Sequence, residues 1–320
     1  MKRIFIATAL LTSTLFGTAM ARADTFPDRP IHLVVPFSPG GSTDLVGRLV
    51  GAKVAQILGQ SVIVENRAGA GGSIGSAYVA RSAPDGYTLL MATTSHTANP
   101  ALYKSLPYDT QKDFAPISLL CDMPGLLVAH PSLPPNNFKE FISYAKTHKL
   151  DYGSAGVGTF PHLSMEMLKS RAGLQMTHVP YKGAAPALAD LVRGVYQVKV
   201  DAYITANSFV QSGKLKLYAV TSAQRMEQLP NVPTVAESGY PGFESTYWIG
   251  IVVPSATPAP IRAKLEKAFM QAIHDKDVSA KLIATGTRPI GSTAAVLGQR
   301  ITRELAQWPV ILRNAGIKAQ

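Results

Sequence analysis

Cysteine is almost absent from this chain. Cys121 is the only one in 320 residues, so no internal disulfide can form in any redox compartment. Its neighbours Leu119 and Leu120 mark a buried structural thiol; a nucleophilic role would require a histidine partner that sequence cannot place. Runs of like charge are also missing. Lys and Arg total 31 against 20 Asp and Glu, a formal charge of +11, yet the cations are scattered with no run of five, which argues against a nucleic-acid surface. There is no internal repeat and no low-complexity tract. No G-x-S-x-G, no H-E-x-x-H and no paired-carboxylate signature occurs, which removes the simple motif routes to a hydrolase or a zinc enzyme. No metal and no cofactor is expected.

Beyond the amino terminus, no segment approaches the roughly 20 apolar residues a bilayer-spanning helix needs. At the terminus, Lys2 and Arg3 precede an uncharged run over 4–20, closed by Ala19-Met20-Ala21 or Ala21-Arg22-Ala23, either of which fits a small-x-small cleavage rule. Thr12, Ser13, Thr14 and Thr18 dilute the apolar run. This is the pattern of a secretory signal peptide over 1–23, and it predicts an exported protein. Removing 23 of 320 residues leaves 297 and, without Lys2, Arg3 and Arg22, a charge of +8. With 46% hydrophobic residues such a length supports two cores.

What is present is a recurring group of strand, small-residue loop and helix. Ile31, Leu33, Val34 and Val35 read as a strand. Phe37-Ser38-Pro39-Gly40-Gly41-Ser42-Thr43-Asp44 follows, and Leu45, Val46, Leu49, Val50, Val54, Ile57 and Leu58 then keep helical spacing until Gly59. The first N–H groups of such a helix lack intrahelical partners and carry positive partial charge. Gly40-Gly41 is therefore either an anion seat or only a tight connection.

A second strand over 62–64 enters Gly69-Ala70-Gly71-Gly72 and a helix over 73–81. This is not a dinucleotide fingerprint, because Ile74 stands where the third glycine belongs. A strand over 87–92 delivers Thr93-Thr94-Ser95-His96 at its carboxyl end, where ligands gather in open α/β sheets. Residues 117–121 and 125–129 read as two back-to-back strands punctuated by Pro116 and Pro124, and the crossing between lobes is placed there. A strand over 150–152, the loop 153–159 and a helix from about Pro161 form the next instance. Tyr152 occupies the first glycine position of a nucleophile elbow, so Ser154 lacks that motif. His162 and Glu166 share a helix face without further ligands at metal spacing.

A helix over 184–193 stops at Gly194. The alternation over 196–204 predicts a half-buried strand whose polar face carries Gln197, Lys199, Asp201 and Tyr203; Asp201 either faces a crevice or is solvated. Strands follow over 215–222 and 248–254, the latter returning to the first lobe. Thr257-Pro258 open a helix with the stripe Ile261, Leu265, Phe269 and Ile273. Another helix spans 277–285, and a third starts near Thr293, is interrupted near Pro309 and ends near Gly316.

The order of these motifs closely resembles the Bug-type substrate-binding receptors of the tripartite tricarboxylate transporter system. The resemblance is nearly full length and is carried by Arg29-Pro30-Ile31 through Asp44, Leu58-Gly59-Gln60 through Gly75, Ala83-Pro84-Asp85-Gly86-Tyr87, Tyr152-Gly153-Ser154-Ala155-Gly156 and Val179-Pro180-Tyr181-Lys182-Gly183. It continues through Leu229 to Gly239 and Thr257-Pro258, and ends at Gly316-Ile317. It implies an α/β fold of the type II periplasmic-binding-protein kind, a Venus flytrap of two lobes joined by crossing strands. Lobe 1 would comprise 24–124 and 246–320, and lobe 2 would comprise 125–245.

The resemblance further implies a non-catalytic periplasmic receptor, a monomer that holds a small organic carboxylate through backbone N–H groups and hydroxyls. Its protein partner would be a membrane permease or a sensor kinase. The first-lobe contacts would be Phe37, Pro39, Gly41, Asp44, Thr94 and Ser95; the second lobe would offer Ser154, Ala155, Gly156, Thr159, His162 and Asp201. Asp44, being negative itself, is expected to accept hydrogen bonds from loop N–H groups or water and so fix the seat. The chain departs from the family pattern at His96, Gln197, Lys199 and Ala202. The competing reading is a secreted serine hydrolase of small esters or amides, with Ser154 or Ser95 as nucleophile and His162 or His96 as base.

Overall fold

A computed structural model describes residues 26–314, 316 and 317; the expected signal peptide lies outside the described residues. In chain order the first elements are β1 (Ile31–Val35), α1 (Ser42–Leu58), β2 (Val62–Asn66), α2 (Ser73–Ala80), β3 (Thr88–Thr93), α3 (Thr94–Leu102) and β4 (Phe114–Ala129). Then come α4 (Phe138–Ala145), β5 (Leu150–Ser154), α5 (Phe160–Ala172), β6 (Met176–Pro180), α6 (Ala184–Val192), β7 (Val198–Ala202), α7 (Tyr203–Gln211) and β8 (Lys216–Val220). The chain closes with β9 (Thr246–Pro254), α8 (Ala259–His274), α9 (Lys276–Ala284), β10 (Arg288–Pro289) and α10 (Ala294–Asn314).

The sheet order is β2-β1-β3-β9-β4-β7-β5-β6, with β8 and β10 also paired to β4. β1 runs parallel to β2 and β3, and β9 is antiparallel to both β3 and β4. Beyond β4, β5 is parallel to β6 and β7, while β4 is antiparallel to β7 and β8. Each half therefore repeats one plan: β2-β1-β3-β9-β4 in the first, β6-β5-β7-β4-β8 in the second. In both, the fourth strand arrives from outside and runs antiparallel. Two α/β lobes joined by crossing strands result, the Venus flytrap expected from the sequence.

The crossing itself differs from expectation. β4 is one 16-residue strand, not two. Its first part pairs with β9 from Phe114↔Pro254 to Pro124↔Thr246, and from Gly125↔Ala202 onward it pairs with β7. Proline cannot donate to a ladder, and Pro124 sits at the junction where the partner changes, so the strand continues through it. Thr221 fastens this point to the other crossing segment. Its Oγ1 accepts the Gly125 N–H at 2.8 Å and donates to the Ser245 carbonyl at 2.6 Å.

Two helices escape the sequence pattern. α3 begins where a loop was expected, and α7 begins at Tyr203, inside the expected strand. α10 runs unbroken through Pro309, because Trp308 and Leu312 pack with Ala98, Leu102 and Leu163 and hold that turn on both lobes. Cys121 is fully buried in the first-lobe core, where burial pushes its thiol far up and leaves it unreactive. Among the described residues, no helix is long and apolar enough to cross a membrane, and no group of three His, Cys, Asp or Glu could hold a metal ion.

Candidate ligand-binding crevice

The carboxyl ends of β1, β3, β5 and β7 face one another across the crossing strands. Between them lies a crevice lined from the first lobe by Phe37, Gly41, Ser42, Thr43, Asp44 and Thr93, and from the second by Ala155, Thr159, Phe160, Pro161, Ala184, Asp201 and Ala202. Tyr247 of β9 completes the floor. Five helix amino ends meet here, those of α1, α3, α5, α6 and α7. Their cap residues Gly41, Thr93, Thr159, Gly183 and Ala202 make no side-chain hydrogen bond to the helix. Of the helices that do not reach the crevice, α4 and α9 are capped by the side chains of Asn137 and Asp275, while α2 and α8 are not side-chain capped. Uncapped first-turn N–H groups and five positive dipole ends favour an anion. Hydroxyls add donors: Thr43 Oγ1 and Tyr247 Oη lie 2.6 Å apart. Phe37 and Phe160, both buried, give the crevice apolar walls.

Asp44 is buried in the first turn of α1. Its carboxylate accepts the Gly40 N–H at 3.0 Å, Asn66 Nδ2 at 3.0 Å, and two bonds from Arg48 at 3.1 and 3.0 Å. Burial opposes the charge, but Arg48, the Gly40 N–H and Asn66 outweigh it and hold the carboxyl below the ordinary Asp value. Asn66 also donates to the Phe37 carbonyl at 3.0 Å. One carboxylate thus ties the loop 37–41 to α1 and β2, with Gly40 at φ +81° to present its N–H.

Asp201 stands on the opposite wall. It is buried, not solvated, because β7 is a central strand covered on both faces. Its Oδ1 accepts the Ala202 N–H at 2.8 Å and the Thr205 hydroxyl at 2.9 Å, and its Oδ2 lies 2.8 Å from Lys199 Nζ in an ion pair buried on both sides. Burial pulls the Lys199 ammonium below the usual lysine value, and Asp201 opposes that fall. The polar face predicted for this strand is therefore an internal pair.

The second-lobe loop is pinned from below. Ser154 Oγ accepts the Gly156 N–H at 3.0 Å and lies 2.6 Å from His178 Nε2. His178 stacks on Tyr152 at 4.9 Å and lies 4.3 Å from the ring of His162. Tyr152 and Lys169 both donate to Glu166. The histidine beside Ser154 is thus His178, not His162 or His96, and neither the fully buried Ser154 hydroxyl nor His178 lines the crevice. His96 is enclosed by Tyr108 and Phe114, and burial pushes it down to about 4. Neither of its ring nitrogens has a hydrogen-bond partner, and the Ser95 hydroxyl pairs instead with that of Thr93 at 3.0 Å.

Of the residues expected from the sequence, Phe37, Gly41, Asp44, Ala155, Thr159 and Asp201 line the crevice. Thr94 and Ser95 are buried just behind Thr93, which takes the lining position. Pro39 is exposed at the loop tip. Ser154 and Gly156 shape the loop, and His162 faces its Gly158 N–H at 3.3 Å. Tyr247, Thr43, Ala184 and Phe160 were not anticipated; Thr43 and Tyr247 are 204 positions apart, and no local signal joins them. The lobes meet at the front of the crevice. Ser38 Oγ donates to the Lys182 carbonyl at 3.1 Å, and a Cβ on Gly156 would lie 3.5 Å from the Gly71 nitrogen.

Comparison with known proteins agrees with this architecture. The model of the tripartite tricarboxylate transporter family receptor matches residues 46–317. Protein BugT of Bordetella pertussis is 35% identical over 319 residues, covering 98% of this chain and 96% of BugT. The solved periplasmic binding protein BugD superposes with a TM-score of 0.90 at 37% identity, covering 92% of this chain and all of BugD. MatC from Rhodopseudomonas palustris, solved with bound malate, gives 0.86 at 38% identity, covering 90% of this chain and all of MatC. With the family match over residues 46–317 and the full-length likeness to BugT and BugD, the chain belongs to the tripartite tricarboxylate transporter family of receptors, of the Bug type, and is a solute-binding protein and not an enzyme.

Proposed function

We propose that this chain is a periplasmic receptor, exported by its amino-terminal signal peptide, that closes two lobes around a small organic carboxylate. The single observation that carries the reading is the convergence of five uncapped helix amino ends on one crevice whose own two carboxylates are each tied to a cation. A carboxylate there meets donors and dipoles without an arginine clamp. MatC, of similar sequence and fold, was solved with malate, which supports the ligand class. The lobes would divide at 124/125 and 245/246, where Thr221 joins the two crossings, giving 24–124 with 246–320 and 125–245. A ligand that touches both lobes favours the closed form over the open one. The receptor would act as a monomer and pass its ligand to a membrane permease or report it to a sensor kinase.

Native mass spectrometry of freshly purified protein, followed by thermal-shift screening after ligand removal, tests this reading. A co-purified organic acid and a raised melting temperature with mono-, di- or tricarboxylates are expected. A screen in which no carboxylate shifts the transition would defeat it.

A further inference from the structure

Lys199 is a buried cation that the carboxylate seat does not use. It is fully buried, opposite Val128 in the β4–β7 ladder, on a strand whose other face carries apolar Val198, Val200 and Ala202. Burying an ammonium there is costly unless it is paired. Among the described residues its only ionic partner is Asp201. The remaining oxygen of Asp201 is occupied by the Ala202 N–H and Thr205. Wherever the shared proton resides, the pair is neutral as a unit. Across the crevice Asp44 is matched by Arg48 in the same way.

An amino acid entering this crevice would have to put its ammonium group against helix amino ends, which repel it, or against Asp201, where Lys199 already stands. We propose that Lys199 sets the ligand class: by neutralising Asp201 it makes the crevice select organic acids that lack an α-ammonium group over the matching amino acids. This rests on the carboxylate-receptor reading and deepens it. Without Lys199, Asp201 becomes an uncompensated carboxylate at the wall and a seat for an ammonium group.

The test is calorimetric titration of ligand-freed protein with matched pairs, succinate against aspartate and glutarate against glutamate. The full mature chain is used, as wild type, as Lys199→Met and as Lys199→Met/Asp201→Asn. The wild type should bind a diacid at least tenfold more tightly than its aminated partner. Lys199→Met should shrink or invert that ratio by at least tenfold, and the double variant, with no free carboxylate, should restore it. Should Lys199→Met fail to fold, Lys199→Gln makes the same charge change while keeping a donor beside Asp201. A wild type that binds the amino acid as well as its diacid overturns the proposal, as does a folded Lys199 variant whose ratio stays within twofold. If neither diacids nor amino acids bind the wild type while other carboxylates do, the ligand-size assumption fails and the proposal is rejected for these pairs. If no carboxylate of any kind binds, the receptor reading fails first.

Discussion

Ser154 Oγ lies 2.6 Å from His178 Nε2 and takes the Gly156 N–H at 3.0 Å, so one buried hydroxyl joins the crevice loop to the neighbouring strand β6. Ser154→Ala should fold, lose about 1–3 kcal/mol of stability because two polar partners are left unsatisfied, and weaken carboxylate binding through the loosened loop 155–159. Denaturant unfolding and calorimetry check both effects. Full affinity in the alanine variant would mean that the loop is held by other contacts.

Two buried histidines, His96 and His162, and the half-buried His178 make the protein acid-sensitive. Burial pushes His96 and His162 down to about 4, and burial together with the adjacent His162 ring pushes His178 down to about 3. In the unfolded chain these rings titrate near 6.5, so below that pH the unfolded state binds protons that the folded state refuses. Stability is fully present above about 6.5 and is lost as pH falls toward 4 and then 3, on the order of 3 kcal/mol for each of His96 and His162 at the limit. Below the ordinary carboxylate range, Asp44 adds a further loss in the same direction. Urea unfolding at pH 7.5, 5.5 and 4.5 should give a falling free energy, and His96→Phe should flatten part of the slope.

Asp44→Ala should reduce carboxylate affinity by roughly tenfold or more. It releases the Gly40 N–H, Asn66 and Arg48 together and lets the loop 37–41 move. Arg48→Met should do less, because the Arg48 side chain is 53% exposed and the Gly40 and Asn66 bonds survive. Equal losses in the two variants would show that the ion pair, rather than the loop anchor, matters.

Gly71→Ala should oppose closure. Gly71 has φ +60°, and an added Cβ would run into the Val157 carbonyl of the other lobe. The left-handed backbone costs alanine about 1 kcal/mol in any state, while the steric conflict exists only when the lobes meet. Affinity should therefore fall by more than stability does, with dissociation accelerated more than association is slowed. A variant that binds normally would exclude Gly71 from the closed interface.

How much of this was legible depended on whether the signal was local. The β1–α1 unit, α6 with Gly194 and the α8 stripe follow from periodicity and breakers within one window, and the structure has them. α3 was missed because its buried face is polar, with Thr94, Ser95, His96, Thr97 and Asn99 all inaccessible, so no apolar stripe announces it. α7 buries only Ala206 and offers no stripe either. The alternation over 196–204 predicts a half-buried strand with one polar face, whereas Lys199 and Asp201 neutralise each other inside a fully buried strand. That can be inferred only once both faces are known to be covered. Half of the expected crevice residues were reachable because glycine-rich loops at strand ends mark where ligands bind; Tyr247 was not, since its role depends on where β9 crosses.

The two tryptophans, the only ones in the chain, lie on one polar chain of contacts. Glu304 accepts from Trp248 Nε1 at 2.9 Å and from Thr97 at 2.7 Å, and Thr97 accepts from Trp308 Nε1 at 3.1 Å. Trp248 is on a crossing strand, while Trp308 packs with Leu163 of the opposite lobe. Any rotation of one lobe against the other changes the surroundings of Trp308 while Trp248, fully buried and bonded to a carboxylate, stays as an internal reference. The unlabelled protein therefore carries its own optical gauge of opening and closing, and ligand capture can be followed by intrinsic emission in a stopped-flow cell without attaching a dye.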